Sequence, residues 1–126
     1  MRIGPKTWMI AQAKTVTPDK DGVVDLHLPI GWLKMVGMDA HDVIDVIPIF
    51  TSEEKANEYI RATNEENKAT VVAIRNLGVL VDLLERFVDA GYAEGLTIDP
   101  EKKTGKGQQA PLREFVADLR ANMRQP

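Results

Sequence analysis

The middle of the chain alternates between extended apolar runs and helical runs, and this alternation constrains the fold more than any other feature. Strand signals cover 42–50, 68–76 and 95–99, whereas 51–63 and 77–91 carry apolar side chains at the spacing of one helix face. Strands that are joined by a helix pair in parallel through a right-handed crossover. The sequence therefore predicts a strand-helix-strand-helix-strand unit with three parallel strands.

The residues before this unit predict an antiparallel arm. Residues 7–16 and 22–28 have the composition of two strands, joined by the turn-forming sequence TPDKDG. Residues 29–38 predict a short buried helix, because Pro29 suits a helix start and Gly37 suits a helix stop. The arm thus places an antiparallel hairpin and a short helix before the first parallel strand.

The C-terminal residues predict a last helix. A polar loop over 100–109 precedes Pro111, and apolar side chains at helical spacing follow at Leu112, Phe115, Val116, Leu119 and Met123. The complete prediction is an α/β (α+β) fold with a mixed sheet, built from the hairpin, the alternating unit and the C-terminal helix. Residues 1–126 are expected to form a single compact domain, β-rich over 7–50 and α/β over 51–126.

Composition limits the classes of function. The 126 residues are 44% hydrophobic and 28% charged, with a net charge of −3 and no cysteine. The charge provides no general attraction for nucleic acid or for an anionic membrane, and the lack of cysteine excludes disulfides and thiolate chemistry. The sequence has neither an apolar run of ~18–20 residues nor a secretory signal pattern, so we expect a cytoplasmic protein.

The joint after residue 50 is interpreted as a helix start and not as a reactive site. Thr51 and Glu54 have the spacing of a capping box, in which each side chain bonds the other residue's backbone amide. Glutamates in the first turn are also favoured by the helix dipole. Ala56, Tyr59 and Ile60 then share one helix face. Helix capping therefore explains the joint.

Three other motifs resemble ligand sites, and each has a simpler interpretation. The turn TPDKDG has Thr17 and Leu28 where a calcium loop needs its first and last ligands. KKTGKG lacks the spacing of a phosphate loop. A third group occupies a loop too short to surround a metal: Asp39, His41, Asp42 and Asp45. The sequence predicts no catalytic residue, no metal ligand and no cofactor.

A weak anion site is the one constellation that the predicted topology would assemble. Parallel strands would bring Thr51-Ser52, Arg75-Asn76 and Asp99 to the same edge of the sheet. Two helix N-termini would offer free amides there, and Arg75 would add a positive charge.

Residues 22–46 resemble an AbrB-type swapped-hairpin domain. The resemblance is carried by Leu28-Pro29, the predicted helical residues 32–36, Gly37-Met38, and Asp42 before an apolar strand. It implies an intertwined dimer and, as in many members of that family, DNA binding. Arginines of that family are replaced here by Val23, Ile30, Gly31 and Leu33.

Residues 46–100 are similar to the N-terminal domain of SseB-like proteins. The segments that carry this likeness are IPIFTSEEKANEYI, TVVAI, LVDLLERF and GLTIDP. The resemblance implies a non-enzymatic α/β module.

From these observations we expect a non-catalytic binding or regulatory module that acts through protein contacts, with itself or another protein as partner. A swapped-hairpin DNA-binding regulator is the alternative, and a small-anion or enzyme site is third. The N-terminal half carries more apolar side chains than a chain of this length easily covers. The expected dimer interface comprises Trp8, Ile10, Trp32, Leu33, Met35 and Val36.

Overall fold

Residues 6–39, 41–63, 67–101 and 108–123 are described by a computed structural model and form an α+β fold with mixed strand pairing. This confirms the predicted fold class. The elements are β1 (Thr7–Gln12), a 3-10 turn (Ala13–Thr15), β2 (Met35–Asp39), β3 (Asp42–Ile49), α1 (Glu53–Ala62), β4 (Ala69–Ile74), α2 (Leu77–Ala90), β5 (Gly95–Ile98), β6 (Gln108–Pro111) and α3 (Leu112–Met123).

The strands form one sheet in the order β2-β3-β5-β6 and a two-stranded pair of β1 with β4. Of the three strands predicted to be parallel, β3 and β5 pair in parallel, but β4 is antiparallel to β1. Trp8 pairs with Ala73 on one side and exchanges backbone hydrogen bonds of 2.9 and 2.8 Å with Phe50 on the other. The three strands do run in the same direction, because β1 is antiparallel to β4 and, at Trp8 and Phe50, antiparallel to the end of β3. The predicted pairing of all three is wrong, because β4 pairs with β1 while β3 pairs with β2 and β5.

The N-terminal hairpin that sequence predicts over 7–28 is also wrong. Its turn is real, since the Asp19 carboxylate accepts from two backbone amides and Gly22 has a φ of 79°. Residues 22–28, however, form no strand. Val24 and Leu26 instead pack against the main core, where Arg86 donates a 2.8 Å hydrogen bond to the Leu26 carbonyl. The alternating pattern serves packing against α2 and not strand pairing.

The antiparallel hairpin of the N-terminal half is β2–β3, and it replaces the helix predicted over 29–38. Trp32 pairs with Ala11, and β2 pairs with β3 from Met35 opposite Val46. A Cβ on Gly37 would lie 2.6 Å from the Val46 side chain, so this glycine permits a close approach and does not end a helix. The apolar side chains of this segment fit a helix or a strand equally well, and backbone pairing with distant strands decides between the two conformations.

Two apolar clusters lie on opposite faces of β1. Met9 and Ala11 face α2 and α3, where burial of each large side chain contributes about 1.5–3 kcal/mol. Ile10 faces the smaller cluster under α1. The buried residues of that helix are Ala56, Tyr59 and Ile60, as predicted. Because α1 has 10 residues, part of this second face extends beyond it.

Some of the remaining predictions about single elements are confirmed and others are wrong. Asn76 caps α2 by accepting from the Val79 amide at 2.9 Å, and Gly91 ends it in the left-handed region, both as predicted. Met123, predicted to lie inward, is 47% exposed. The strand predicted to be central, β4, pairs with one neighbour among the described residues and exposes Ala73.

The predicted loop over 100–109 lies largely outside the described residues, and its last two residues begin β6, which sequence does not predict. In the part of the chain that the structure describes, no helix has the length and apolar character needed to cross a membrane.

Candidate functional site

The predicted anion site contains an anion that belongs to the chain. Thr51 donates from its backbone amide to one carboxylate oxygen of Asp99 at 2.8 Å, and from its hydroxyl to the other at 2.6 Å. The Lys55 ammonium lies 3.2 Å from the second oxygen. Both oxygens of Asp99 are thus engaged by groups at the start of α1. The carboxylate fills the position that an external anion would take.

The cap of α1 lies one residue later than sequence predicts. The Ser52 hydroxyl accepts from the Lys55 amide at 3.1 Å, which makes Ser52 the N-cap. The capping box of Thr51 and Glu54 is therefore wrong, because a lysine occupies the third helical position. Thr51 instead uses its side chain to reach Asp99.

The other half of the predicted anion site does not join this cluster. Asn76 uses its side chain to cap α2, and Arg75 is exposed. Neither side chain has a hydrogen bond or ion pair with Thr51, Ser52 or Asp99 in the described part of the chain. The start of β1 separates the two strand ends, because Thr7 pairs with Ile74 at the end of β4 and Trp8 bonds Phe50 at the end of β3. The four residues thus serve two separate helix starts.

The backbone of Asp99 supports a structural role. Its φ of 50° lies in the left-handed region, which aspartate tolerates better than most residues. Its amide also donates to the Ile49 carbonyl at 2.9 Å. The residue therefore ties the end of β5 to the joint of β3 and α1. No cluster of three or more metal-ligating side chains occurs within the ranges that the structure describes.

The predicted interface residues come together more closely. Five of the six line two adjoining recesses: Ile10, Trp32, Leu33, Met35 and Val36. The sixth, Trp8, packs partly against the cluster under α1, with the Lys6 ammonium 5.4 Å from its ring centre. Ile10 and Trp32 are 2% and 7% exposed, so they form the floor and not the rim. The dimer interface itself stays a prediction.

The two recesses form one groove that extends from the end of β1 to the margin of α1. Their volumes are about 700 and 680 Å³. They share Ile10, Leu33, Lys34 and Ala69, so the first passes into the second without a dividing wall. We call this trough the basic groove, since its charged lining residues are Lys14, Lys34 and Lys68, and none of the described residues lining it is acidic.

The three lysines differ in their surroundings. The Lys34 ammonium lies 3.6 Å from the Asp45 carboxylate and 4.4 Å from the centre of the Tyr92 ring. Lys14 and Lys68 are exposed, and within the described residues their ammonium groups form no hydrogen bond or ion pair. Their main chains are held together, because the Ala13 amide donates to the Lys68 carbonyl at 2.8 Å. Both lysines thus line the first recess and not the second.

A second surface feature is the outer face of the β2–β3 hairpin. Val36, Met38 and Val43 are 73%, 56% and 67% exposed. Met38 is paired with Val43, and Val36 lies two residues from Met38, so all three project from the same face. We call these three residues the hairpin face. Sequence reasoning missed Met38 and Val43. Residues 34–38, KMVGM, show no polar–apolar alternation, so the sequence does not distinguish the exposed side chains of this strand from the buried ones.

Tyr92 connects this hairpin to the main core. Its hydroxyl donates to the Trp32 carbonyl at 2.8 Å. Burial raises the pKa of Tyr92 above its ordinary value, and the negative charge of Asp45 raises it further. The pKa of Tyr59 beneath α1 is likewise raised by burial. Both rings therefore remain neutral over the physiological range and serve packing.

The fold and these surfaces define an α+β protein with an internally neutralised helix start, a basic groove and an exposed apolar hairpin face. No protein-family model matches the chain, and no curated protein matches it. The surfaces of the fold therefore carry the information about function.

Proposed function

We propose that the protein is a non-catalytic binding module that acts through protein contacts, and that a second copy of the chain is one partner. The observation that supports this most directly is the hairpin face. Three of the six large apolar side chains exposed among the described residues lie together on it. Contiguous exposed apolar side chains mark interaction sites in soluble proteins more often than isolated ones do.

The position of this face favours association. Val36 and Met38 belong to β2, which pairs only with β3 within the described ranges and so leaves its other edge unpaired. An edge strand with apolar side chains readily pairs with another chain. A two-fold dimer uses the same patch on both copies, and this patch is apolar enough to face itself. A cytoplasmic location is part of the proposal and is supported by the absence of cysteine.

Sedimentation velocity over about a hundredfold range of concentration tests the proposal. The native chain should associate as its concentration rises, and Val43→Lys should raise the dissociation constant about tenfold or more, because a charge would enter the apolar contact. Leu28→Lys is the matched control, since Leu28 is 52% exposed but lies outside the hairpin. A native chain that stays monomeric at the highest concentration, or equal effects of the two substitutions, would contradict the proposal.

A further inference from the structure

The basic groove differs from the hairpin face in charge and in shape, and it poses a separate question. The chain has 19 acidic residues against 16 lysines and arginines. None of the described residues lining the groove is acidic, whereas three are lysines, and two of these, Lys14 and Lys68, have no acidic partner among the described residues. In a protein of net charge −3, this local excess of positive charge on an apolar floor suits an occupant that is both anionic and apolar.

We infer that the basic groove binds an extended peptide segment that carries apolar side chains and carboxylates. The half-buried Leu33 offers its surface to the apolar side chains, and the half-buried Met35 continues the apolar surface into the second recess. Lys14 and Lys68 stand at one end, where carboxylates of the segment would find ammonium groups that no described residue neutralises.

The shape of the groove favours a peptide over a compact small molecule. Small-molecule sites enclose most of their ligand's surface. Here two recesses of about 700 and 680 Å³ run into each other and both open to solvent. Such a trough suits a chain that lies along it and anchors side chains at intervals. Because α1 buries only Ala56, Tyr59 and Ile60, the sheet face beside it remains available.

The lining also favours a peptide over nucleic acid. Binding to single strands depends on exposed aromatic rings on which bases stack. Trp32 is the tryptophan at the groove, and it is 7% exposed, so its ring is not available for stacking. The exposed lysines could attract phosphates, but the apolar floor would then remain unused. An oligonucleotide therefore belongs in the test as a competing occupant.

Fluorescence anisotropy with labelled model peptides of about eight residues tests the inference. The probes alternate leucine with glutamate, leucine with lysine, and serine with glutamate, and a single-stranded oligonucleotide of similar length is the fourth. The Leu-Glu peptide should bind the full chain about tenfold or more tightly than each of the other three. Its affinity should fall as salt is added, because the charges are exposed.

The double variant Lys14→Glu/Lys68→Glu should weaken binding of the Leu-Glu peptide about tenfold, while circular dichroism confirms that it folds. Lys20→Glu is the matched control, since Lys20 is exposed in the turn after Asp19 and lines neither recess. Leu33→Ser should weaken the same peptide with no change of charge. The inference is overturned by equal affinity for the Ser-Glu peptide, by tighter binding of the oligonucleotide, by no binding of the Leu-Glu peptide, or by equal effects of the double variant and the control.

Val36 belongs to the hairpin face and also lines the second recess, but the substituted residues keep the two tests distinguishable. Val43, the residue changed there, does not line the groove, and neither Lys14 nor Lys68 lies on the hairpin. A chain that stays monomeric and still binds the Leu-Glu peptide would support the groove alone.

Discussion

Thr51 and Asp99, 48 residues apart in the sequence, form a pair of hydrogen bonds that joins the start of α1 to the end of β5. The backbone amide and the hydroxyl of Thr51 donate to different oxygens of one carboxylate, at 2.8 and 2.6 Å. These hydrogen bonds hold together the C-terminal ends of the parallel strands β3 and β5. It also explains why a threonine that looks like a helix cap is displaced from that role by Ser52.

Removal of the Thr51 hydroxyl tests how much this pair of hydrogen bonds contributes to the free energy of unfolding. Thr51→Val keeps the shape of the side chain and should lower the free energy of unfolding by about 1–3 kcal/mol, because a partly buried carboxylate loses a donor. Urea denaturation measures the change. Thr7→Val is the matched control: Thr7 is 1% exposed, and its hydroxyl has no hydrogen-bond partner among the described residues. That substitution should change stability by less than about 0.5 kcal/mol or increase it. Equal losses from both would show that the Asp99 contact contributes nothing specific.

The position of the helix cap gives a second prediction. Ser52→Ala should cost about 0.5–2 kcal/mol, because the Lys55 amide loses its acceptor. Glu54→Ala should change stability by less than about 0.5 kcal/mol, since the structure does not form the capping box that sequence predicts. Thermal unfolding of both variants decides between the two caps, and a larger loss from Glu54→Ala than from Ser52→Ala would restore the capping box.

The ion pair between α2 and α3 predicts a dependence on pH. The Arg120 guanidinium donates to both oxygens of Glu85, and this hydrogen bonding, with the positive charge, holds the pKa of Glu85 below its ordinary value. A carboxyl whose pKa is lowered by folding stabilises the fold above its unfolded pKa of about 4.3, and the stabilisation disappears as pH falls through the folded pKa.

Glu85→Gln should therefore lower the melting temperature at neutral pH, and the difference from the native chain should vanish near pH ~3. Glu114→Gln on α3 is the control for the loss of a carboxylate, because Glu114 is exposed and has no ion pair within the described residues. If the difference in melting temperature between Glu85→Gln and the native chain persisted unchanged in acid, the stabilisation would not come from the charge of Glu85.

Gly37 gives a prediction about packing between distant strands. A Cβ there would lie 2.6 Å from Val46 and 2.7 Å from the Gln109 side chain, so Gly37→Ala should cost about 1–3 kcal/mol. The cost should fall when Val46→Ala is introduced first, because the smaller side chain makes room. A double-mutant cycle by denaturant unfolding measures this coupling. Additive losses would mean that the strain lies elsewhere.

Local signals allowed the sequence to determine several elements without any knowledge of the fold. The cap and stop of α2, Asn76 and Gly91, act on backbone groups within four residues of themselves, so their chemistry is visible in the sequence. The apolar stripes of α1 and α2 are equally local, and with the alternating strand runs they determined the α+β class. The strand-helix-strand-helix-strand order follows from the same signals.

Strand partners and site contacts were decided only by the tertiary structure. Residues 31–33 could have formed a helix until backbone bonds to Ile10 and Gln12 fixed them as extended chain. In the same way, β4 pairs with β1 because β1 already flanks β3 at Phe50. The hydrogen bonds between Thr51 and Asp99 join groups that are far apart in the sequence. Lys14 and Lys68 are also far apart in the sequence, and they line the same recess. Such contacts form when a compact chain satisfies its buried backbone and charges together, and no short stretch of sequence contains both partners.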